Sequence, residues 1–372
     1  MKNELPHIAI LSPNKNAYSE TFIQAHKSLS NVQVFYYFGS TAYPQLEGEG
    51  LLLKGIKKFV LKTVSTLKKQ PNDAAGKQAL LQSWKKNNIR LVLAEYGNNA
   101  AAHIDIIKKS GLPLVVHFHG LDASVQTILD ENKDLYPEVF AYAAKVIAVS
   151  QAMHQKLLAL GCPPEKLVYN VYGPQEVFFE VKPHFNQKQF VAAGRFTEKK
   201  APYYTLLAFK KAVEKHPDAK LMMAGDGYLR PMCENLVKYL GIEKNVEFVG
   251  IVSPEQFKSL MTDSLAFVQH SIIAKNGDSE GTPLAVLESG AAGLPVIATK
   301  HAGISDVVLH GETGLLCNEH DVDAMAKNML LVLDNPRQAA RMGANARIRI
   351  RESFSMQKHL KGIEAVIAEW VS

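Results

Sequence analysis

Two glutamates carry the sharpest chemical signal in this 372-residue chain: Glu280 and Glu288, with seven residues between them in GDSEGTPLAVLESGAAGLPVIA over 277–298. Pro283 suits the first turn of a helix, where its missing N–H costs nothing. Glu280, Gly281 and Thr282 would then form the entry loop, with Glu288 one to two turns into the helix. The N–H groups of Thr282 and Leu284, at the positive end of the helix dipole, make a place for a phosphate or a sugar hydroxyl. Two acceptor carboxylates beside a row of donors suit a polyhydroxylated, phosphorylated ligand. The same spacing also fits an ordinary helix-start acid and a solvated glutamate.

A second group is Gly194-Arg195-Phe196-Thr197-Glu198-Lys199-Lys200, directly after an apolar run at Phe190–Ala193. Arg195 offers a planar fork and Lys200 a point charge, a pair that could share a diphosphate. A basic loop is otherwise plain solvated surface. Gly225-Asp226-Gly227 follows another apolar run, where two glycines permit a tight turn or close approach to a ligand. In the first half, LVVHFHG over 114–120 places His117 and His119 on one face of a strand, so a metal pair has to be considered. No third ligand is evident in the sequence, and no metal site is expected. Asp321-Val322-Asp323 mimics a metal-binding DxD but stands where a helix should begin, and a cap is the better reading.

These groups need strands to end beside them. Short apolar runs alternate with amphipathic stretches of helical length, the pattern of βα units and a parallel sheet. Strands are expected at Ile8–Leu11, Val32–Phe38, Leu91–Ala94, Leu114–His119 and Val146–Val149. After a proline-containing linker a second series follows at Phe190–Ala193, Lys220–Ala224, Val246–Phe248, Leu265–Val268, Pro295–Ala298 and Gly314–Leu316. Both halves thus read as doubly wound α/β domains, in which ligands sit beyond the carboxyl ends of the strands. The boundaries expected are 1–173 for the first domain, 174–189 for the linker, 190–354 for the second domain and 355–372 for a helix crossing back.

Composition agrees with a folded protein of two domains. Hydrophobic residues make up 47% and charged residues 21%, which excludes a disordered chain. The balance of 42 basic against 36 acidic residues, net +6, permits an anionic partner without demanding nucleic acid, and none is expected. Cys162, Cys233 and Cys317 lie far apart with no CxxC, as in a reducing compartment. The opening MKNELPHIAIL has too short an apolar run for a signal-peptide core, so a cytoplasmic location is expected. Leu51–Lys69 carries six lysines and no acid around a helical apolar stripe. It reads equally as a helix lying on an anionic membrane, which would make the protein peripheral, and as a core helix with a solvated face.

Taken in order, these segments resemble the retaining glycosyltransferases of family 4. GRFTEKKAP is similar to the family's GR-x4-K-G stretch, GDGYLR to its GDGPLR-like turn, and VEFVGIVSPEQF to the segment beside the donor base. EGTPLAVLESGAAGLPVIAT is similar to its E-x7-E block, and HGETGLL to a closing element. The resemblance implies the GT-B fold, two facing Rossmann-like domains with a cleft between them. It also implies transfer of a hexosyl group from a nucleotide diphosphate sugar, UDP- or GDP-linked, to a glycan or lipid-linked acceptor, with retention and without a metal or other cofactor.

Roles carry over residue by residue. Glu280 would bind hydroxyls of the transferred sugar, helped by the backbone N–H groups of Gly281, Thr282 and Leu284 on either side of Pro283, which has none. Glu288 would bind the ribose, Arg195 and Lys200 the diphosphate, and the backbone around Val252 the base. His119 would face the sugar from the first domain. Ser19-Glu20-Thr21-Phe22 replaces the family's early Gly-Gly, as in members that build bacterial surface polysaccharides. Ala201 stands where a glycine usually follows the lysine. Two rivals remain at this stage: a sugar-nucleotide epimerase on the same fold, and a silent donor-binding partner subunit.

Overall fold

The computed structural model describes residues 5–15, 21–55, 59–61, 63 and 71–371. The chain divides into two compact units. One comprises Met1–Val149, Met153–Asn170 and Leu360–Ser372, and the other Ser150–Ala152 and Val171–His359.

In the first unit the strands are β1 (His7–Ser12), β2 (Gln33–Phe38), β3 (Gln45–Leu46), β4 (Gly50–Leu51), β5 (Ile89–Glu95), β6 (Leu114–His117), β7 (Lys145–Ala148) and β8 (Leu167–Tyr169). Their order is β4-β3-β2-β1-β5-β6-β7-β8. All pairings are parallel except those of the two-residue edge strands β3 and β4. Leu91–Glu95 of β5 is buried throughout, as expected of a strand covered by helices on both faces. The chain leaves β1 toward one edge and resumes at β5 on the other side. The strand order therefore reverses between β1 and β5, the position where doubly wound sheets open a crevice.

The second unit repeats the plan with β9 (Gln189–Ala193), β10 (Lys220–Ala224), β11 (Val246–Gly250), β12 (Ala266–Gln269), β13 (Val296–Thr299) and β14 (Gly314–Cys317). The order is β11-β10-β9-β12-β13-β14, parallel throughout. Here the reversal lies between β9 and β12. Helix Pro202–Lys215 covers one face, with Phe209 meeting Phe190 of β9 edge-on at 6.2 Å.

Several expectations need adjustment. Residues 174–189, read as a linker, hold a 3₁₀ turn at Glu176–Glu180 whose Phe178 and Phe179 are buried, and Phe178 packs on Phe257 at 6.0 Å. Aromatic residues spaced for a single turn leave no period to read. Pro283 is the N-cap of helix Leu284–Ala291 and sits one residue outside it, because its ψ of 123° is extended. Asp321 is indeed a cap: its carboxylate accepts the Ala324 N–H at 2.9 Å. Most of Leu51–Lys69 and all of Ser19-Glu20 lie outside the described residues, but Phe59 and Val60 within the former are exposed. No helix among the described residues is long and apolar enough to cross a membrane.

The loops at the carboxyl ends of β9, β10 and β11 are nested through their backbones. Gly194 N–H donates to the Ala224 carbonyl at 3.0 Å, Phe196 N–H to Asp226 at 2.9 Å, and Gly225 N–H to Gly250 at 2.7 Å. This is the reason for the Gly225-Asp226-Gly227 turn. Gly225 has φ +120°, and a Cβ there would stand 2.0 Å from the Gly194 carbonyl oxygen, a rigid backbone atom. Gly225→Ala is therefore expected to destabilise the second unit by about 2–4 kcal/mol. A urea titration in which this variant unfolds with the wild-type midpoint would contradict the nesting.

Candidate active site

The second unit assembles its site from the ends of β9 and β12. After β9 the chain passes Gly194 and an exposed Arg195, then makes a 3₁₀ turn at Glu198–Lys200. Ala201 closes the turn in the left-handed region at φ +36°, fully buried. A residue with a Cβ is disfavoured there, which accounts for the glycine of the resembled pattern. The turn faces Lys199 and Lys200 inward. Lys199 Nζ donates to Asp278 Oδ1 at 3.0 Å and to the Ser279 carbonyl at 3.3 Å.

Lys200 Nζ lies 2.9 Å from Glu280 Oε1 and donates to Gln269 Oε1 at 3.3 Å. Gln269 Nε2 donates to Ser271 Oγ at 2.7 Å, and Ser271 Oγ donates to Glu280 Oε1 at 3.3 Å. The four side chains form a closed ring at the strand-order reversal. A depression at the ends of β9, β10 and β12 is lined by Gly194, Arg195, Lys200, Ala224 and Gln269.

Glu280 is further fixed through its backbone. Its N–H donates to His301 Nε2 at 3.1 Å, while His301 Nδ1 meets Glu319 Oε1 at 2.6 Å. Since a carboxylate only accepts, the His301 proton is on Nδ1 and Nε2 carries the lone pair.

The two partners of the ring respond differently to burial. Burial would raise the Glu280 pKa, but the charges of Lys200 and Lys199 outweigh it and hold the carboxyl at about 2. Burial lowers the pKa of Lys200 more than Glu280 raises it, with Lys199 and Arg195 adding repulsion. Three cations thus face two carboxylates, Glu280 and Asp278, and the Lys200 ammonium is under-compensated. An incoming dianion would correct that imbalance.

Glu288 lies half-buried on helix Leu284–Ala291, and burial alone pushes its carboxyl up to about 7. No cation is paired with it among the described residues. The first-turn N–H groups of Leu284 and Ala285 precede the first intrahelical bond, which Val286 makes to Pro283. Gly281, Thr282 and Pro283 are buried beside them. Val252 follows β11 in a loop where Ile251 is exposed, and Ser253 and Gln256 form a capping box that starts helix Pro254–Thr262.

In the first unit His119 closes the turn after β6. Its Nε2 is 2.8 Å from Glu95 Oε2, and its N–H donates to Asp122 Oδ1 at 3.0 Å. Asp122 also accepts from Gly97 at 2.8 Å and Gly120 at 2.9 Å. Tyr96 packs edge-on to His119 at 4.5 Å, with φ +72°. A non-glycine residue held there marks backbone strain of the kind that gathers at functional sites. The metal pair weighed from the sequence is not completed as such: His117 stands with His26 and Glu95, whose ligand atoms lie within 4.8 Å of one another, and His119 is not one of the three. His26 Nδ1 is however 2.6 Å from Glu95 Oε1, a hydrogen-bond distance with a proton between the two atoms.

Residues 174–349 match the family described as glycosyl transferases group 1, and residues 24–169 the one described as glycosyltransferase family 4. The chain belongs to glycosyltransferase family 4. The amylovoran biosynthesis glycosyltransferase AmsK of Erwinia amylovora is 29% identical over 244 residues, 65% of this chain and 60% of the relative's length. N-acetyl-alpha-D-glucosaminyl L-malate synthase of Bacillus anthracis is 26% identical over 310 residues, 80% of this chain and 79% of that one. Among solved structures, Anabaena HepE in complex with UDP superimposes with a TM-score of 0.79 at 16% identity, covering 98% of this chain and 100% of that one. Sucrose-phosphate synthase from Thermosynechococcus elongatus gives a TM-score of 0.74 at 16% identity, covering 98% of each chain. These likenesses establish the GT-B fold.

For this family 4 chain, the residues that sequence reasoning passed over are the supports: Gln269, Ser271, Lys199, Asp278, His301 and Glu319 around Glu280, and Glu95, Asp122 and His26 around His119. Their separations in sequence left no local signal, apart from the strand ends on which Glu95 and Gln269 stand.

The two family glutamates should respond to pH with opposite signs. Unfolded, Glu288 loses its proton near 4.5; folded, near 7. The folded state holds the extra proton between these values, so stability falls as pH rises through that window. Glu280, held at about 2, contributes fully above 4.5, and its contribution is lost as pH falls toward 2. Glu288→Gln should match wild type below pH 4.5 and be more stable above pH 7, by on the order of 2–3 kcal/mol. Glu280→Gln should be less stable than wild type at pH 7, with the deficit shrinking in acid. Denaturant unfolding across pH checks both signs, and a Glu288→Gln difference that does not vary with pH would refute the buried carboxyl.

Proposed function

We propose that the protein is a retaining hexosyltransferase that uses a UDP-sugar donor and a glycan or lipid-linked acceptor in bacterial polysaccharide synthesis. The observation that carries this reading is the ring at the strand ends, in which the part-buried Lys200 meets Glu280 at 2.9 Å and Gln269 at 3.3 Å with the exposed Arg195 close by in sequence. A diphosphate entering the depression at the strand ends supplies the anion this site lacks. The solved relative HepE, which shares the fold, was crystallised with UDP, and also with UDP-glucose. AmsK is described as an amylovoran biosynthesis enzyme.

In this reading Lys200 and Arg195 take the two phosphates. As Lys200 turns toward the diphosphate, Glu280 is released from its ion pair and accepts hydroxyls of the transferred sugar. Glu288, once ionised, accepts the ribose hydroxyls. The base lies along the backbone at Val252.

The bond from the anomeric carbon to the leaving phosphate oxygen breaks, and a bond to the acceptor hydroxyl forms on the same face. The acceptor proton passes to the departing phosphate. Arg195, Lys200 and the first-turn N–H groups stabilise the charge that develops there, which is an electrostatic task that two side-chain cations and a helix N-terminus can perform.

A thermal-shift screen of the full chain with UDP, GDP, ADP and dTDP sugars tests the assignment, repeated with Arg195→Ala and with EDTA. Ligand binding raises the melting temperature by mass action. UDP-sugars should raise it, the rise should survive EDTA, and it should shrink in Arg195→Ala. A GDP-sugar shift without a UDP-sugar shift would overturn the donor class. An undiminished shift in Arg195→Ala would overturn the diphosphate site.

A further inference from the structure

One carboxylate ties together three loops of the second unit. Glu319 follows β14, and its Oε2 accepts the N–H of Ile273, in the loop after β12, at 2.9 Å. Its Oε1 stands 2.6 Å from Nδ1 of His301, in the loop after β13. His301 is buried and passes the tie on, because its Nε2 accepts the Glu280 N–H at 3.1 Å. The loop after β13 grips the Glu280 segment at a second point, where the Gly303 N–H donates to the Gly281 carbonyl at 2.9 Å. A Cβ on Gly303 would stand 2.4 Å from that carbonyl oxygen and 2.1 Å from Thr282 Oγ1. Between the two points Ala302 is held in the left-handed region at φ +42°. Such strain in a residue with a Cβ persists only where the surroundings over-determine the backbone.

The imidazole of His301 has one tautomer open to it. A backbone N–H only donates and an ionised carboxylate only accepts, so a ring lying between them bears its hydrogen on Nδ1 and keeps Nε2 as the acceptor. A doubly protonated ring would set N–H against N–H at Glu280. This hold on the backbone is separate from the hold on the side chain, where Lys200 Nζ lies 2.9 Å from Glu280 Oε1 and Ser271 Oγ donates to the same oxygen at 3.3 Å. On the proposed function Lys200 leaves for the diphosphate. His301 and Glu319 lie outside the ring, and their grip on Glu280 survives that departure.

We propose that His301, oriented by Glu319, is a positioning residue for transfer: it keeps the Glu280 backbone in place once Lys200 has turned to the diphosphate, so that the carboxylate meets the hydroxyls of the transferred sugar. The proposal rests on the reading that Glu280 binds that sugar.

Two substitutions separate the two ring nitrogens. His301→Gln brings an amide oxygen to the Nε2 position, where it accepts the Glu280 N–H. His301→Asn keeps an N–H donor near the Nδ1 position for Glu319 and removes the acceptor for Glu280. The full chain is assayed for UDP-glucose hydrolysis, in which water takes the glucosyl group and UDP leaves, and is titrated separately with UDP. His301→Asn should lower kcat/KM for UDP-glucose about tenfold or more while UDP affinity stays within about twofold. His301→Gln should recover most of that loss. Long-range proton–nitrogen NMR on wild-type protein labelled with ¹⁵N-histidine should show the His301 hydrogen on Nδ1, the ring being assigned by its absence from His301→Gln.

A wild-type His301 protonated on Nε2 would overturn the proposal, and this needs no variant to fold. Equal losses in His301→Asn and His301→Gln would overturn it too, since only packing would then be at stake. So would a fall in UDP affinity in His301→Asn as large as the fall in kcat/KM, which would mean that the anchor serves the whole unit. If the tautomer and both variants behave as expected but Glu280→Gln keeps full turnover, the anchoring by His301 is supported and the sugar-binding role of Glu280 is overturned.

Discussion

The Lys200–Glu280 ion pair is the constraint around which the second unit is arranged. A lysine and a glutamate taken out of water cost several kcal/mol each, and their attraction repays this only when geometry is good and the remaining donors and acceptors are occupied. The surrounding structure supplies those conditions. The left-handed Ala201 turns Lys200 back under β9, Gln269 and Ser271 close the ring, and His301 with Glu319 anchors the Glu280 backbone. Even so the compensation is incomplete on the lysine side, and on the proposed reading that shortfall suits the pair to an incoming anion.

The first unit applies the same physics with the sign reversed. There one carboxylate, Glu95, is served by several donors, and burial is offset by the charge of His26 and by hydrogen bonds from His117 and His119, which hold its pKa well below the carboxylate range. Both clusters stand where the strand order of a doubly wound sheet reverses, at β1/β5 and at β9/β12. Loops diverge there, so polar side chains from distant segments can converge on ground prepared by two apolar strands.

That convergence explains what could be read from sequence. The long apolar strands, helix Pro202–Lys215 and the E-x7-E spacing are local patterns, and the alternation of strand and helix is enough to give two parallel-sheet units. β8 and the edge pair β3 and β4 are only two or three residues long, too short to show a period. The 18-residue helix Pro336–Ser353 carries five arginines, of which Arg347 and Arg349 turn inward to cap backbone carbonyls of Ala292 and Val307. Arg195, Lys200 and His119 stand out in the sequence because each follows or closes a predicted strand, and Glu280 and Glu288 because their spacing brackets the start of helix Leu284–Ala291. Glu95 read as the end of an apolar run, and nothing local signals that His26, 69 positions away, meets it. The glycines of the GDG turn serve the nesting of the loops after β9, β10 and β11.

The central claim is that the Lys200–Glu280 pair is a resting clamp that opens to a nucleotide diphosphate. A double-mutant cycle on stability, with Lys200→Met, Glu280→Gln and the double variant, measures the coupling between the two side chains in the absence and presence of saturating UDP. Without nucleotide the coupling should be about 2–3 kcal/mol, and with UDP bound it should fall by about half or more as Lys200 turns to phosphate. An equal coupling in both conditions, in protein that binds UDP, would show the pair to be a fixed structural bridge and contradict the account.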